Sequence, residues 1–259
     1  MIFTIIDAIG KATLSLCDGL GLFTLFFLRA CKTLFYTRPK LSKWLVQMEH
    51  IGVDSLIIVI LTGTFTGMVL ALQSYIGFKR VGGEQLIGTI VALGMIRELG
   101  PVLTGLMVTG RAGSSIAAEI GTMRITEQID ALRTLRLDTF QYLVVPRIVA
   151  SILVLPCLAL FSMVCGIIGG YFICVYVLAL SPEDYVTSIR TYVELSDIRG
   201  GLIKSTFFGL ILAWVGTYKG FYTSGGARGV GIATTQSVVT SSIMILISNY
   251  FLTKMLEQM

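Results

Sequence analysis

Charge is the scarcest commodity in this 259-residue chain. Only 14% of its residues are Asp, Glu, Lys or Arg, against 54% hydrophobic ones, where soluble domains carry about 25% charge. So few charges cannot cover a water-facing surface, which excludes an ordinary soluble protein and leaves lipid as the main solvent. Histidine occurs once, at His50, and no HExxH, GxSxG or paired-carboxylate spacing appears, so no hydrolase or zinc site is supported. No GxxxxGK[ST] phosphate loop exists, so any ATP is hydrolysed by another chain. The five cysteines form no CxxC and read as small buried hydrophobes, neither a metal cluster nor a disulfide framework. The excess of 20 Lys and Arg over 15 Asp and Glu is not a nucleic-acid signal. No basic run carries interleaved aromatics, and the positive charges sit between apolar segments, where topology-setting charges belong.

What remains is a series of apolar runs long enough to span a bilayer core of about 30 Å. Residues 1–43 are mixed. Ile5, Ile6, Ile9, Ala12 and Leu16 fall near helical spacing, and the following GLGLFTLFFL is short for a crossing. We expect an interfacial helix plus a shallow, partly inserted piece; a full span from Ala12 to Leu28 is the competing reading. No small-residue cleavage site follows this stretch, so a secretory signal is not expected. Arg29, Lys32, Arg38, Lys40 and Lys43 come next and place this region in the cytoplasm.

Five spans are expected beyond it, at about 51–76, 86–110, 143–180, 201–218 and 232–255. The first holds Gly63 and Gly67 as a GxxxG, a spacing that lets helix backbones approach. The third is long enough for two crossings. The acidic loop 181–200 and the basic turn near Lys219 and Arg228 favour a single crossing, broken near Pro156 or Gly166–Gly170. The fifth is rich in Ser and Thr, which suits packing on protein or lining a cavity. Most basic residues then fall on one side, giving a cytoplasmic N-terminus and a periplasmic C-terminus. No internal repeat supports an inverted-repeat carrier.

The second span is the anomalous one. Arg97 and Glu98 lie near its middle, where a charge costs roughly 3 kcal/mol on insertion scales. Pro101 removes the N–H that would reach the Arg97 carbonyl, and a kink is expected there. Two interpretations stand: a polar spot in a cavity, or a charge network that holds helices together. Lys204, Asp197 and Asn249 are the candidate partners in either case. After Arg111 an amphipathic run places Ala118, Gly121, Ile125, Ile129 and Leu132 on one face, with Glu119, Arg124, Glu127, Asp130 and Arg133 opposite. It is either a surface helix or one that a partner grips.

The stretch RELGPVLTGLMVTGRAGSSIAAEIGTMRITEQIDAL, residues 97–132, resembles the signature of the MlaE (YrbE-type) permease family. The span layout, the length and the turn from Tyr218 to Gly231 fit as well. These permeases are membrane subunits of ABC transporters that move phospholipids between the two membranes of Gram-negative bacteria. The resemblance implies an all-α integral membrane protein of five spans with an N-terminal elbow (1–43), a permease domain (44–259) and a coupling helix near 119–135. It implies a homodimer with a lipid cavity between copies, lined by Arg97, Glu98, Lys204, Asn249 and apolar residues such as Leu70. Glu119, Arg124, Thr126, Glu127 and Asp130 would couple to a separate cytoplasmic ABC ATPase. A periplasmic MCE-domain hexamer, and a small STAS-domain protein, would complete the assembly; no cofactor and no nucleic acid is implied. The alternative is an ion- or proton-coupled carrier that uses Glu98 as its relay.

Overall fold

The computed structural model describes residues 2–36 and 41–256, and among them there is no strand. Arg38 and Lys40 of the expected basic run lie outside the described residues, as do the side chains of Ile5, Ile6, Ile9, Ala12 and Leu16. Eleven α-helices follow one another: α1 (Ile2–Tyr36), α2 (Leu41–Met48), α3 (Asp54–Phe78), α4 (Ile87–Gly94), α5 (Gly100–Val108), α6 (Ser114–Ile125), α7 (Gln128–Thr134), α8 (Val145–Phe172), α9 (Pro182–Tyr192), α10 (Leu195–Phe221) and α11 (Gly226–Leu256). Several join end to end through π-helical turns, so the rods are longer than single helices. Six are long and apolar enough to cross a membrane: Cys17–Tyr36, Leu41–Phe78, Glu84–Ile125, Phe140–Val177, Leu195–Phe221 and Gly226–Leu256. This is an all-α integral membrane architecture.

Four boundaries differ from expectation. In the N-terminal region Ile2–Tyr36 is one unbroken helix, not two pieces. The second span does not stop at Arg111; it passes through a π turn at Thr109–Gly113 into α6. The third is a single rod, unbroken at Pro156 and across Gly166–Gly170. Its glycines serve packing instead: α3 lies so close that a Cβ on Gly67 would sit 1.9 Å from the Gly166 carbonyl oxygen. The GxxxG therefore joins α3 to α8 of the same chain. The expected coupling helix is interrupted, because Glu127 adopts a left-handed backbone (φ 60°) between α6 and α7. Arg124 Nη1 reaches both oxygens of Asp130 at 3.0 Å. Residues six apart on a straight helix point about 120° away from each other, so this pair requires the turn.

The core is built around α8, which packs between α3 and α10, while α10 also meets α6 and α11. α1 joins this bundle through one aromatic knot. Phe23 stacks on Trp214 at 4.1 Å, and Phe26 sits among Phe140, Tyr218 and Phe221. Arg29 lies over the Phe140 ring. The rest of the described α1 surface is mostly exposed, including Leu14, Leu20, Leu25 and Phe35.

Between α8 and α10 the chain forms α9, a helix not expected from the sequence reading. Its start is legible in hindsight: Ser181 caps the Asp184 N–H, Pro182 occupies the first turn, and Glu183 and Asp184 favour the positive helix end. α9 turns inward against α4. Thr89 donates to the Ser188 carbonyl, and the Tyr185 hydroxyl donates to that of Ile167 at 3.0 Å. Burial pushes the Tyr185 phenol above its ordinary range, with Cys174 adding to the shift.

Candidate functional site

The anomalous pair sits on a distorted stretch. A π turn covers Met95–Leu99, and the Gly100 N–H bonds five residues back to Met95. Pro101 follows and has no N–H to give. The Arg97 carbonyl thus lacks its helical donor, and an orphan carbonyl away from water costs free energy. α10 supplies the remedy. Lys204 Nζ donates to the Arg97 carbonyl at 2.8 Å. One turn earlier, Gly201 packs so near the Ile96 carbonyl that a Cβ there would come within 2.4 Å of it. Glycine and lysine three apart on α10 therefore fit the backbone defect that Pro101 leaves. The proline's effect is this change in hydrogen bonding.

The same ammonium binds Glu98. Lys204 Nζ lies 2.6 Å from Glu98 Oε1 and 2.8 Å from Thr253 Oγ1. Asn249 Nδ2 donates to the other carboxylate oxygen at 2.9 Å. Thr253 Oγ1 stands 2.9 Å from Glu98 Oε1 and 2.8 Å from the Asn249 carbonyl, so its single proton serves one of the two. Arg97 turns the other way. Its Nε and Nη2 both reach Asp197 Oδ1, at 2.7 and 2.6 Å. Asp197 Oδ2 meanwhile accepts the Glu194 N–H and closes a capping box at the start of α10.

Burial divides this cluster. The Lys204 and Asp197 side chains are 4% and 6% exposed, Glu98 and Arg97 38% and 53%. The two exposed members line a cleft of about 400 Å³ together with Glu194, Ser196, Gly200, Thr253 and Leu256. α10 begins and α11 ends beside it. Lys204 is the tenth residue of α10, and Thr253 lies three residues before the end of α11. Arg97 is 14 residues from Arg111, roughly 20 Å along a helix, so the cluster belongs to the half of the bundle that carries α9.

Arg97, Glu98, Lys204 and Asn249 are thus brought together. Leu70 is not; it packs between α3 and α4, its Cδ2 beside Gly94. Thr253 and Glu194 were missed. Thr253 had a signal, since it lies four residues, about one helical turn, beyond Asn249 on one face.

The residues expected to couple to a partner lie at the opposite, arginine-rich end. Glu119 is paired with the buried Arg147 at 2.8 Å, and Arg147 also donates to the Leu143 carbonyl. Arg124 and Arg133 converge on Asp130. Thr126 and Glu127 are exposed at the turn between α6 and α7. Arg111 ties this end together: it donates to Asp54 Oδ2 at 2.6 Å, to Ser55 and to the His50 carbonyl. No group of three or more metal-ligating side chains occurs among the described residues.

The chain is similar to known proteins over nearly its whole length. A family model described as permease MlaE matches residues 44–255. A probable ABC transporter permease protein of Rickettsia bellii is 48% identical over 98% of this chain and 98% of its own length. A probable ABC transporter permease protein of Synechocystis is 44% identical over 83% of this chain and 81% of its own. The intermembrane phospholipid transport system permease protein MlaE of Haemophilus influenzae is 34% identical over 98% of this chain and 97% of its own. An α-helical multi-pass membrane protein with this match across nearly its whole length is an ABC transporter permease of the MlaE family.

Proposed function

We propose that this chain is the membrane subunit of an ABC transporter that moves phospholipids between the inner and outer membranes. The observation that carries the proposal is the likeness, over nearly the whole chain, to a relative named for intermembrane phospholipid transport. The cleft beside Arg97 and Glu98 supports it, because it puts charged groups within reach of a headgroup while long apolar helices flank it. Two copies would face one another across a shared lipid cavity. The arginine-rich end is cytoplasmic by charge bias, with the N-terminus on that side and Leu256 at the periplasmic end. An ATPase would grip the turn at Thr126 and Glu127, assisted where present by a STAS-domain protein. An MCE-domain hexamer would sit on the α9 end and receive or deliver lipid.

The mechanical path is short. ATP-driven closure of the ATPases would push on α6–α7, and the rod Glu84–Ile125 joins that region to Arg97 and Glu98 without a loop. The π turns within the rod are where it can adjust its winding. The rival proton carrier fits less well, because Glu98 is held by Lys204, Asn249 and Thr253.

The test is copurification of the tagged chain followed by reconstitution. An ATPase should come with it, and lipid transfer between vesicles should require ATP hydrolysis. Paired Arg97→Ala and Glu98→Ala substitutions should abolish transfer. Gradient-driven uptake by the chain alone would refute the proposal.

A further inference from the structure

The cleft holds both cations of the cluster, and each already has a carboxylate partner. Arg97 is committed to Asp197 through two contacts of 2.7 and 2.6 Å. Lys204 is buried, and its ammonium donates to Glu98, to the Arg97 carbonyl and to Thr253. Three carboxylates share the same lining: Glu98, Asp197 and Glu194. No cation among the described residues pairs with Glu194; it accepts only the Ser196 hydroxyl and, in the capping box, the Asp197 N–H. Two cations face three carboxylates, so the lining has a net charge of one negative.

A phosphate that enters this cleft finds its cation already occupied. The Nη1 hydrogens of Arg97 can still bind the phosphate, but the one guanidinium charge is then shared with Asp197, a buried carboxylate. A headgroup with net negative charge has only that shared charge and also meets the repulsion of Glu194. A headgroup with its own ammonium does not. Its phosphate binds Arg97 while its ammonium pairs with Glu194, the carboxylate without a cation, so two ion pairs join the one between Arg97 and Asp197.

We infer, on the phospholipid-permease reading above, that the cleft selects zwitterionic phospholipids over net-anionic ones, with Glu194 as a specificity-determining residue. The full-length chain in detergent is offered an equimolar mixture of dioleoyl phosphatidylethanolamine and dioleoyl phosphatidylglycerol, and bound lipid is quantified by mass spectrometry. The ethanolamine lipid should exceed the glycerol lipid roughly fivefold, the scale of one partly exposed ion pair. Glu194→Gln keeps an oxygen for the cap and should bring the ratio close to one; Glu194→Lys should invert it. A wild-type ratio at or below one overturns the headgroup inference and leaves the permease reading standing. A ratio indifferent to both substitutions does the same. Failure to bind either lipid overturns the permease reading itself.

Discussion

Replacing Lys204 by Met removes one ammonium and strands three acceptors at once. The side chains have similar length, so the change is chiefly the loss of charge and donors. Lys204 Nζ now lies 2.6 Å from Glu98 Oε1, 2.8 Å from the Arg97 carbonyl and 2.8 Å from Thr253 Oγ1. The Arg97 carbonyl has no substitute, because Pro101 cannot donate; an unsatisfied acceptor of this kind costs about 1–3 kcal/mol. Breaking a fully buried ion pair costs about 3–5 kcal/mol. Glu98 is 38% exposed and keeps Asn249 and Thr253, so its share falls well below that. Thr253 retains an acceptor for its proton and contributes little. A total of roughly 2–4 kcal/mol follows. The assay is a double-mutant cycle on equilibrium unfolding in mixed micelles with Lys204→Met and Glu98→Gln. The double mutant should be less destabilised than the sum of the singles by at least about 1 kcal/mol, since removing both charges leaves no buried ion unpaired. Pro101→Ala should further rescue Lys204→Met, because the new N–H can reach the Arg97 carbonyl. Strict additivity of Lys204→Met and Glu98→Gln, or a Lys204→Met cost below about 0.5 kcal/mol, would refute the reasoning.

Other substitutions test other joints. Gly67→Ala drives a methyl into the Gly166 backbone at 1.9 Å and should lower stability by about 2–3 kcal/mol, read as a lower melting temperature of purified protein. Glu127→Lys should weaken ATPase copurification, whereas Glu127→Gly, which suits the left-handed backbone, should raise stability by about 1 kcal/mol. Arg147→Leu should be tolerated better than Glu119→Leu in thermal denaturation, because only the latter leaves a buried guanidinium without its carboxylate. Tyr185 has a raised pKa in the fold, so its stabilisation is complete below about pH 10, the ordinary phenol value, and is lost as pH rises further. Melting temperature should therefore fall more steeply above about pH 10 in the wild type than in Tyr185→Phe.

Much of this was open to reading from residue types. Two charges and a proline in an apolar run demanded partners, and Lys204, Asp197 and Asn249 were the polar residues of neighbouring apolar segments able to supply them. The helical class followed from the lengths of the apolar runs, since lipid forces each backbone to satisfy itself. The length of the second span was less legible. Arg111 marked its expected end, but the rod continues for about four more turns, through α6 to Ile125. The coupling run looked straight because periodicity takes no account of Arg124 and Asp130, which pair only if the chain turns between them. α9 went unseen because its apolar residues are few and its packing partner, α4, is about a hundred residues away.

The order of the two halves of the ion pair along the chain bears on biogenesis. Glu98 precedes Lys204 by 106 residues. When the ribosome delivers α10 to the insertion machinery, a lysine must leave water for hydrocarbon, at roughly 3 kcal/mol if alone. By then the carboxylate and the proline-freed carbonyl are already embedded nearby, so the later helix can enter against a waiting acceptor. Until then Glu98 is the member that waits for its partner; in the opposite order the lysine would be.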